Sequence, residues 1–199
     1  MRGAQGSCYI WQVPELILAS ASPRRRELLA TAGFRFSVRA RPVEEVRRAL
    51  ESPVEYVRRL SYEKAMAARV RVDEIVLGAD TVVVVDDNVL EKPRDAVDAH
   101  RMLQLLSGRV HQVITGICLL REGRTLQDHS LTQVHFTRLT SSEIAQYVAS
   151  GEPMDKAGAY GIQGLASKFV ERIDGCYFNV MGLPLSLVYS HWKNLIAGE

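Results

Sequence analysis

Ile75-Val76-Leu77-Gly78-Ala79-Asp80-Thr81-Val82-Val83-Val84-Val85 is an apolar, largely β-branched run broken by one carboxylate. β-branched side chains pack well on a pleated surface, and a run without polar alternation predicts a strand buried on both faces. A carboxylate in such a strand loses its hydration, so it needs a metal, a base partner or a hydrogen-bonded role. A structural Asp satisfied by backbone amides is the bland alternative for Asp80.

Downstream, Asp86-Asp87-Asn88 turns the chain back and Val89-Leu90 pairs with the run. Asp95 begins a helix that ends before Gly108, and residues 110–120 and 126–138 read as two strands around Arg121-Glu122-Gly123-Arg124. Thr140-Ser141-Ser142-Glu143 is a capping box whose helix stops at Gly151. Strands over 168–173 and 177–180 flank Asp174-Gly175, and Pro184 starts a last helix to about Ile196.

Upstream, Leu16-Ile17-Leu18-Ala19 is a short apolar strand, and Ser22-Pro23 reads as an N-cap with proline at the first helical position. That helix runs to about Ala32 with Gly33 as its stop, and a strand follows over 34–38. Ser52-Pro53-Val54-Glu55 is a second capping box, opening a helix to about Arg69. Strands and helices intermix with clear hairpins, which predicts an α/β fold on a mixed twisted sheet with flanking helices. Residues 1–14 read as a short N-terminal tail and 15–199 as one domain.

The bulk composition narrows the function. A net charge of +2 over 199 residues gives no global pull toward nucleic acid, although arginine is dense between Arg24 and Arg71. Cys8, Cys118 and Cys176 are scattered, which argues against a disulfide framework or a zinc knuckle and fits a reducing cytoplasm. No apolar run approaches the roughly 20 residues that span a bilayer, so no membrane partner is expected.

Four features carry chemistry. The first is Ser20-Ala21-Ser22-Pro23-Arg24-Arg25 at a strand-to-helix junction. A helix N-terminus already carries a partial positive charge, so arginines in its first turn make sense if an anion bridges them. Hydroxyls, free amides and planar guanidinium groups suit a polyphosphate; the bland alternative is a basic surface turn. The second is Lys64, on the apolar face that Val57, Leu60, Ala65 and Ala68 define at helical spacing. It either snorkels to solvent or reaches a cleft to meet a phosphate or carboxylate.

The third is Asp80 itself with Leu90-Glu91-Lys92-Pro93 just beyond, where Glu91 and Lys92 are expected to face the same cleft. Glu44 and Glu45 are further candidates for holding a hard cation. The fourth is Asp155-Lys156-Ala157-Gly158-Ala159-Tyr160-Gly161-Ile162-Gln163-Gly164. Its glycines permit close backbone approach to a ligand, and the Gln163 amide can read a base edge. The five histidines show no ligand spacing.

These motifs, in this order, together with Glu63-Lys64-Ala65, Ser107-Gly108 and Val180-Met181-Gly182-Leu183-Pro184, resemble the Maf family of nucleoside triphosphate pyrophosphatases. The resemblance covers nearly the whole chain. It implies an elongated, two-lobed fold related to inosine triphosphate pyrophosphatases, with a central cleft and a homodimeric assembly. It also implies hydrolysis of a nucleoside triphosphate to the monophosphate and pyrophosphate with a divalent cation such as Mg²⁺, Mn²⁺ or Co²⁺. Asp80 falls on the family's proton acceptor, whether it serves as base or as metal ligand.

Arg24, Thr81 and Gln163 fall on positions tied to substrate choice. A sibling branch that prefers 7-methyl-GTP carries tryptophan, glutamine and glutamate there, so this sequence resembles the dTTP and UTP branch. In the expected mechanism Ser20, Ser22, Arg24, Arg25, Lys64 and Lys92 grip phosphate oxygens. Asp80, Glu44, Glu45 and Glu91 are the candidates for the cation. Two rivals remain: a non-catalytic nucleotide- or nucleic-acid-binding regulator of cell division, and a pyrophosphatase for modified purine nucleotides. Few aromatic residues interleave with the arginines, which disfavours stable nucleic-acid binding.

Overall fold

The structure is a computed structural model that describes residues 15–197. The expected tail over 1–14 and Cys8 lie outside the described residues. Seven strands form one mixed sheet in the order β2-β1-β3-β5-β6-β7, with β4 also on β3. In chain order the elements are β1 (Leu16–Leu18), α1 (Pro23–Thr31), β2 (Phe36–Val38), α2 (Pro53–Ala68), β3 (Ile75–Val85) and β4 (Asn88–Leu90). There follow α3 (Ala96–Leu106), β5 (Val110–Arg121), β6 (Arg124–Phe136), α4 (Ser141–Ala149), β7 (Val170–Asp174), α5 (Tyr177–Val180) and α6 (Leu185–Ile196).

β3 spans the same residues as the apolar run, and it is apolar because both of its faces are covered. Ile75, Val76, Leu77 and Ala79 are fully buried. Side chains alternate along a strand, so the two faces take different covers. Val76, with Ile17, Cys118 and Leu120, packs under Ala65 and Ala68 of α2. Ile75, Leu77 and Ala79 pack on the other face with Leu28 and Leu29 of α1 and Val188 and Leu195 of α6. Further along that second face, Val83 and Val85 join a separate core with Ala99, Leu103 and Leu106 of α3 and Ile144 of α4. Two cores therefore share one sheet face, and they part at Thr81.

The local signals act as expected. Ser52 and Glu55 exchange both bonds of the capping box, as do Thr140 and Glu143. The hairpin between β5 and β6 is tighter than expected. Glu122 and Gly123 alone turn it, at φ 50° and 79°, and Arg121 pairs with Arg124.

One expected strand is absent: Tyr177–Val180 is a helical turn rather than extended chain. Its β-prone Tyr, Phe and Val lose to a tertiary demand at Asn179. That side chain is fully buried and donates to the Val113 carbonyl at 2.9 Å and to Thr132 Oγ1 at 3.0 Å. The strand expected over 168–173 starts two residues later, because Leu165–Phe169 forms a 3-10 turn first. No helix of the described residues is long and apolar enough to cross a membrane.

Candidate active site

The site sits in a gap along one edge of β3. β5 pairs with β3 from Val76 to Val84 on one side. On the other side β1 pairs with it, in parallel, only at Ile75–Leu77, and β4 takes over, antiparallel, at Val83–Val85. Between them β1 leaves for α1, and Asp80, Thr81, Val82 and Val83 line an open cleft of about 450 Å³. That size lies within the ~300–1,000 Å³ range of small-molecule sites, and the carboxyl end of a parallel strand is where α/β sheets bind ligands.

α2 lies unusually close over this gap. A Cβ on Gly78 would stand 2.0 Å from the Ser61 carbonyl oxygen, and one on Gly116 2.4 Å from that of Val57. Gly116 is the register partner of Asp80 on β5. Only glycine at both places lets the helix descend far enough for Lys64 to reach the strand. Lys64 Nζ donates to Asp80 Oδ1 at 2.6 Å and meets Glu45 Oε1 at 2.8 Å. Lys64 therefore reaches a carboxylate instead of snorkelling to solvent.

The two carboxylates are driven apart in acidity. Burial pushes the Asp80 carboxyl up, against the opposing pull of Lys64 and Arg25. Burial also acts upward on Glu45, but the hydrogen bond and charge of Lys64, with Lys92 and Arg25, outweigh it and leave that carboxyl below its ordinary range.

The opening corner works differently from the expectation. Ser22 caps α1, its Oγ accepting the Arg25 amide at 3.5 Å. The three arginines then point three ways. Arg26 is exposed. Arg24 crosses the cleft to Asp155, donating to its Oδ2 at 2.9 Å and its carbonyl at 3.1 Å. Arg25 is buried, and its guanidinium is committed to protein acceptors: Gly182 O at 2.8 Å, Ala79 O at 2.9 Å, Thr81 Oγ1 at 2.9 Å and Ser20 Oγ at 3.1 Å. Four of its five N–H donors therefore meet fixed protein oxygens, which gives Arg25 a structural role, and one Nη2 proton is left at the cleft that Arg25 lines. Ser20 Oγ accepts from both Arg25 and the Ser22 amide. With both lone pairs taken, its own proton is left to donate.

Glu91, Lys92 and Gln163 line the cleft, as do Asp80, Thr81 and Glu45. Of the Glu44-Glu45 pair, Glu45 lines the cleft and Glu44 does not. Glu91 accepts a hydrogen bond from Tyr56, a fully buried residue of α2 that no motif marked. The glycine-rich segment lines the cleft at Gly161, and its glycines also make room for this chain's own side chains. A Cβ on Gly161 would meet Lys156 Cε at 2.7 Å, one on Gly164 Glu152 Oε1 at 2.3 Å, and one on Gly158 Val83 Cγ2 at 2.8 Å. Sequence reasoning also passed over Thr115 and Asn179, which back Thr81, and nothing in the local pattern of either residue would have marked it.

Among the described residues no three His, Cys, Asp or Glu side chains gather as a metal cluster. Glu45 and Asp80 nevertheless converge on one positive centre, the Lys64 ammonium. Two carboxylates fit a hard cation of the Mg²⁺ type, which takes one or two of them and completes its shell with substrate phosphates and water.

Fold and site together define an α/β protein with a cleft lined by cations and carboxylates that opens on the buried Asp80. A solved HAM1 protein from Coxiella burnetii shares the fold, with a TM-score of 0.50 at 15% identity over 92% of this chain and 99% of that one. A family model described as Maf-like protein matches residues 15–195, and the chain belongs to that family. It is 54% identical over 175 residues to a protein of Vibrio cholerae, covering 87% of this chain and 94% of the relative. It is 53% identical to one of Salmonella typhimurium (90% and 94% covered) and 46% identical to one of Bacillus cytotoxicus (92% and 97% covered). All three relatives are named dTTP/UTP pyrophosphatase.

Proposed function

We propose that this chain, with residues 15–199 acting as one domain, hydrolyses dTTP and UTP to the nucleoside monophosphate and pyrophosphate. The observation that carries the reading is the Asp80–Lys64 pair at 2.6 Å on the floor of the cleft, in a chain about half identical to relatives so named. Asp80, with its raised affinity for a proton, takes one from a water molecule. The oxygen of that water attacks the α-phosphorus. The bond from the α-phosphorus to the bridging oxygen breaks, its electron pair stays on that oxygen, and pyrophosphate leaves.

Around the triphosphate, the Ser20 hydroxyl, the first amides of α1 and the Lys92 ammonium supply donors, and Lys64 holds Asp80 and Glu45 in place. Arg24, Thr81 and Gln163 face the rest of the nucleotide. A divalent cation of the Mg²⁺, Mn²⁺ or Co²⁺ kind, held by Glu45 and Asp80 with Glu91 beside them, would supply charge neutralisation of the phosphates. The family resemblance extends the reading to a cytoplasmic homodimer without a stable nucleic-acid partner.

Pyrophosphate release from a nucleotide panel with Mg²⁺ tests the proposal. Turnover of dTTP and UTP above the purine triphosphates is expected, and Asp80→Asn should lower it about 10²–10⁴-fold without loss of fold. Near-normal turnover by Asp80→Asn would remove Asp80 from the mechanism.

A further inference from the structure

Six cationic side chains line the cleft: Arg24, Arg25, Arg41, Lys64, Lys92 and Lys156. Four of them already donate to protein oxygens. Arg24 bonds Asp155, Arg25 its four acceptors, and Lys64 both Asp80 and Glu45. Lys156 donates to the Glu152 carbonyl and to Asp155 Oδ1, each at 2.6 Å. Of the six, Arg41 and Lys92 have no hydrogen-bond or ion-pair partner among the described residues. Lys92 belongs to a motif with a role assigned above; Arg41 belongs to none.

The arginines around Arg41 are paired: Arg39 with Glu74, Arg48 with Glu63, and Arg59 with Glu51 and Glu63. The acid closest to Arg41 along the chain on that side of the cleft, Glu45, is taken by Lys64 at 2.8 Å. Pro42 follows directly, and a residue before proline is held away from helical backbone, so this stretch stays extended along the cleft.

The sheet sets where Arg41 stands. β1 and β2 run parallel up to the Leu18–Val38 pair. Just beyond it Arg39 N still donates to Leu18 O at 3.0 Å, so the two chains leave the sheet side by side. Ser20-Ala21 and Ala40-Arg41 come next, and all four line the cleft. The strand order here is β2-β1-β3, which sets Arg41 outermost, the Ser20 hydroxyl and the first amides of α1 next, and Asp80 innermost. On the other side of Asp80, where β4 joins β3, stand Glu91, Lys92 and the segment of Gln163, tied in by the Gly158 amide on the Glu91 carbonyl. An α-phosphate beside Asp80 with its nucleoside toward Gln163 therefore points its two outer phosphates at Ser20 and Arg41.

We propose that Arg41 binds the terminal diphosphate of the substrate and steadies it as it departs as pyrophosphate. A guanidinium with no acceptor of its own can take phosphate oxygens in pairs, and the charge that gathers on the leaving group strengthens the contact in the transition state. This rests on the pyrophosphatase reading above and names an anchor for the leaving group.

Calorimetric titration of wild type, Arg41→Gln, Arg41→Lys and Arg26→Gln with inorganic pyrophosphate and with UMP, in Mg²⁺ buffer, tests this, alongside kcat/KM for UTP. Binding needs no turnover, so the titrations decide the role of Arg41 even if wild type hydrolyses nothing, a result that would sink only the pyrophosphatase reading. Arg41→Gln should weaken pyrophosphate about tenfold and leave UMP within about twofold. Arg41→Lys keeps the charge but loses the fork, and should fall between. Arg26→Gln removes an equal charge from the exposed face of α1, outside the cleft, and should bind both ligands as wild type does. Arg41 is itself exposed, so its variants keep the fold. Failure of wild type to bind pyrophosphate, an unchanged affinity in Arg41→Gln, an equal weakening of UMP, or an equal loss in Arg26→Gln would each overturn the proposal.

Discussion

Acid should weaken the fold at His111 before it touches most carboxylates. This β5 side chain is 2% exposed, lies edge-on to the rings of Phe136 and Tyr160, and shares a 2.8 Å hydrogen bond with the Tyr160 hydroxyl. Burial, with a lesser push from His135, lowers its pKa to about 3. The ordinary value in an unfolded chain is about 6.5, so the fold favours the neutral ring. Its contribution is therefore intact above pH ~6.5 and is lost as pH falls from there toward 3, since only the unfolded chain takes up the proton. Each pH unit in that window costs about 1.4 kcal/mol, which makes about 2 kcal/mol at pH ~5.

Urea unfolding of wild type and His111→Gln at pH ~7.5 and ~5 measures this directly. Glutamine keeps a hydrogen-bonding group beside Tyr160 but does not titrate, so wild type should lose about 2 kcal/mol more than the variant between the two conditions. Glu51, Glu74 and Asp98, each lowered to about 2 by arginine partners, contribute their own acid losses only below the ordinary carboxylate range. Equal losses in the two proteins would refute the reasoning.

Gly78→Ala forces α2 off the sheet, because the new methyl would stand 2.0 Å from the Ser61 carbonyl oxygen. A loss of about 3 kcal/mol in urea unfolding is expected, with lower turnover in the folded fraction as Lys64 leaves Asp80; a loss under about 1 kcal/mol would contradict the close packing. Arg25→Lys cannot reproduce a fork aimed at four oxygens, so it should cost about 2 kcal/mol and lower Tm by about 4–8 °C, and an unchanged melting curve would tell against the structural role of Arg25.

The fold was legible where local chemistry and tertiary demand agree. Ile75–Val85 is continuous and apolar because both faces are covered, and the Ser52 and Thr140 capping boxes start helices where their spacing says they should. Tyr177–Val180 misleads because the deciding contacts, from Asn179 to Val113 and Thr132, are with residues more than forty positions away. The site was legible as a set of residue types but not as a set of roles. Asp80, Lys64 and Glu45 do meet. Whether an arginine serves the ligand or the scaffold depends on what faces it, and neither Gly182 O nor Ala79 O leaves any mark on the Arg24-Arg25 motif. The same holds for the glycines at 158, 161 and 164, whose empty space is filled by Val83, Lys156 and Glu152.

The two ends of Arg25's hydrogen-bonding arrangement are also far apart in time. Ser20, Ala79 and Thr81 leave the ribosome early, but the Gly182 and Asn179 carbonyls follow about a hundred residues after Thr81. Until they arrive, a nascent chain holds the sheet strands, yet its central guanidinium lacks one of its four acceptors and Thr115 lacks the carbonyl it donates to. Closure of the Arg25 cluster is thus withheld from every unfinished copy, and comes only when the segment ahead of the C-terminal helix reaches the sheet.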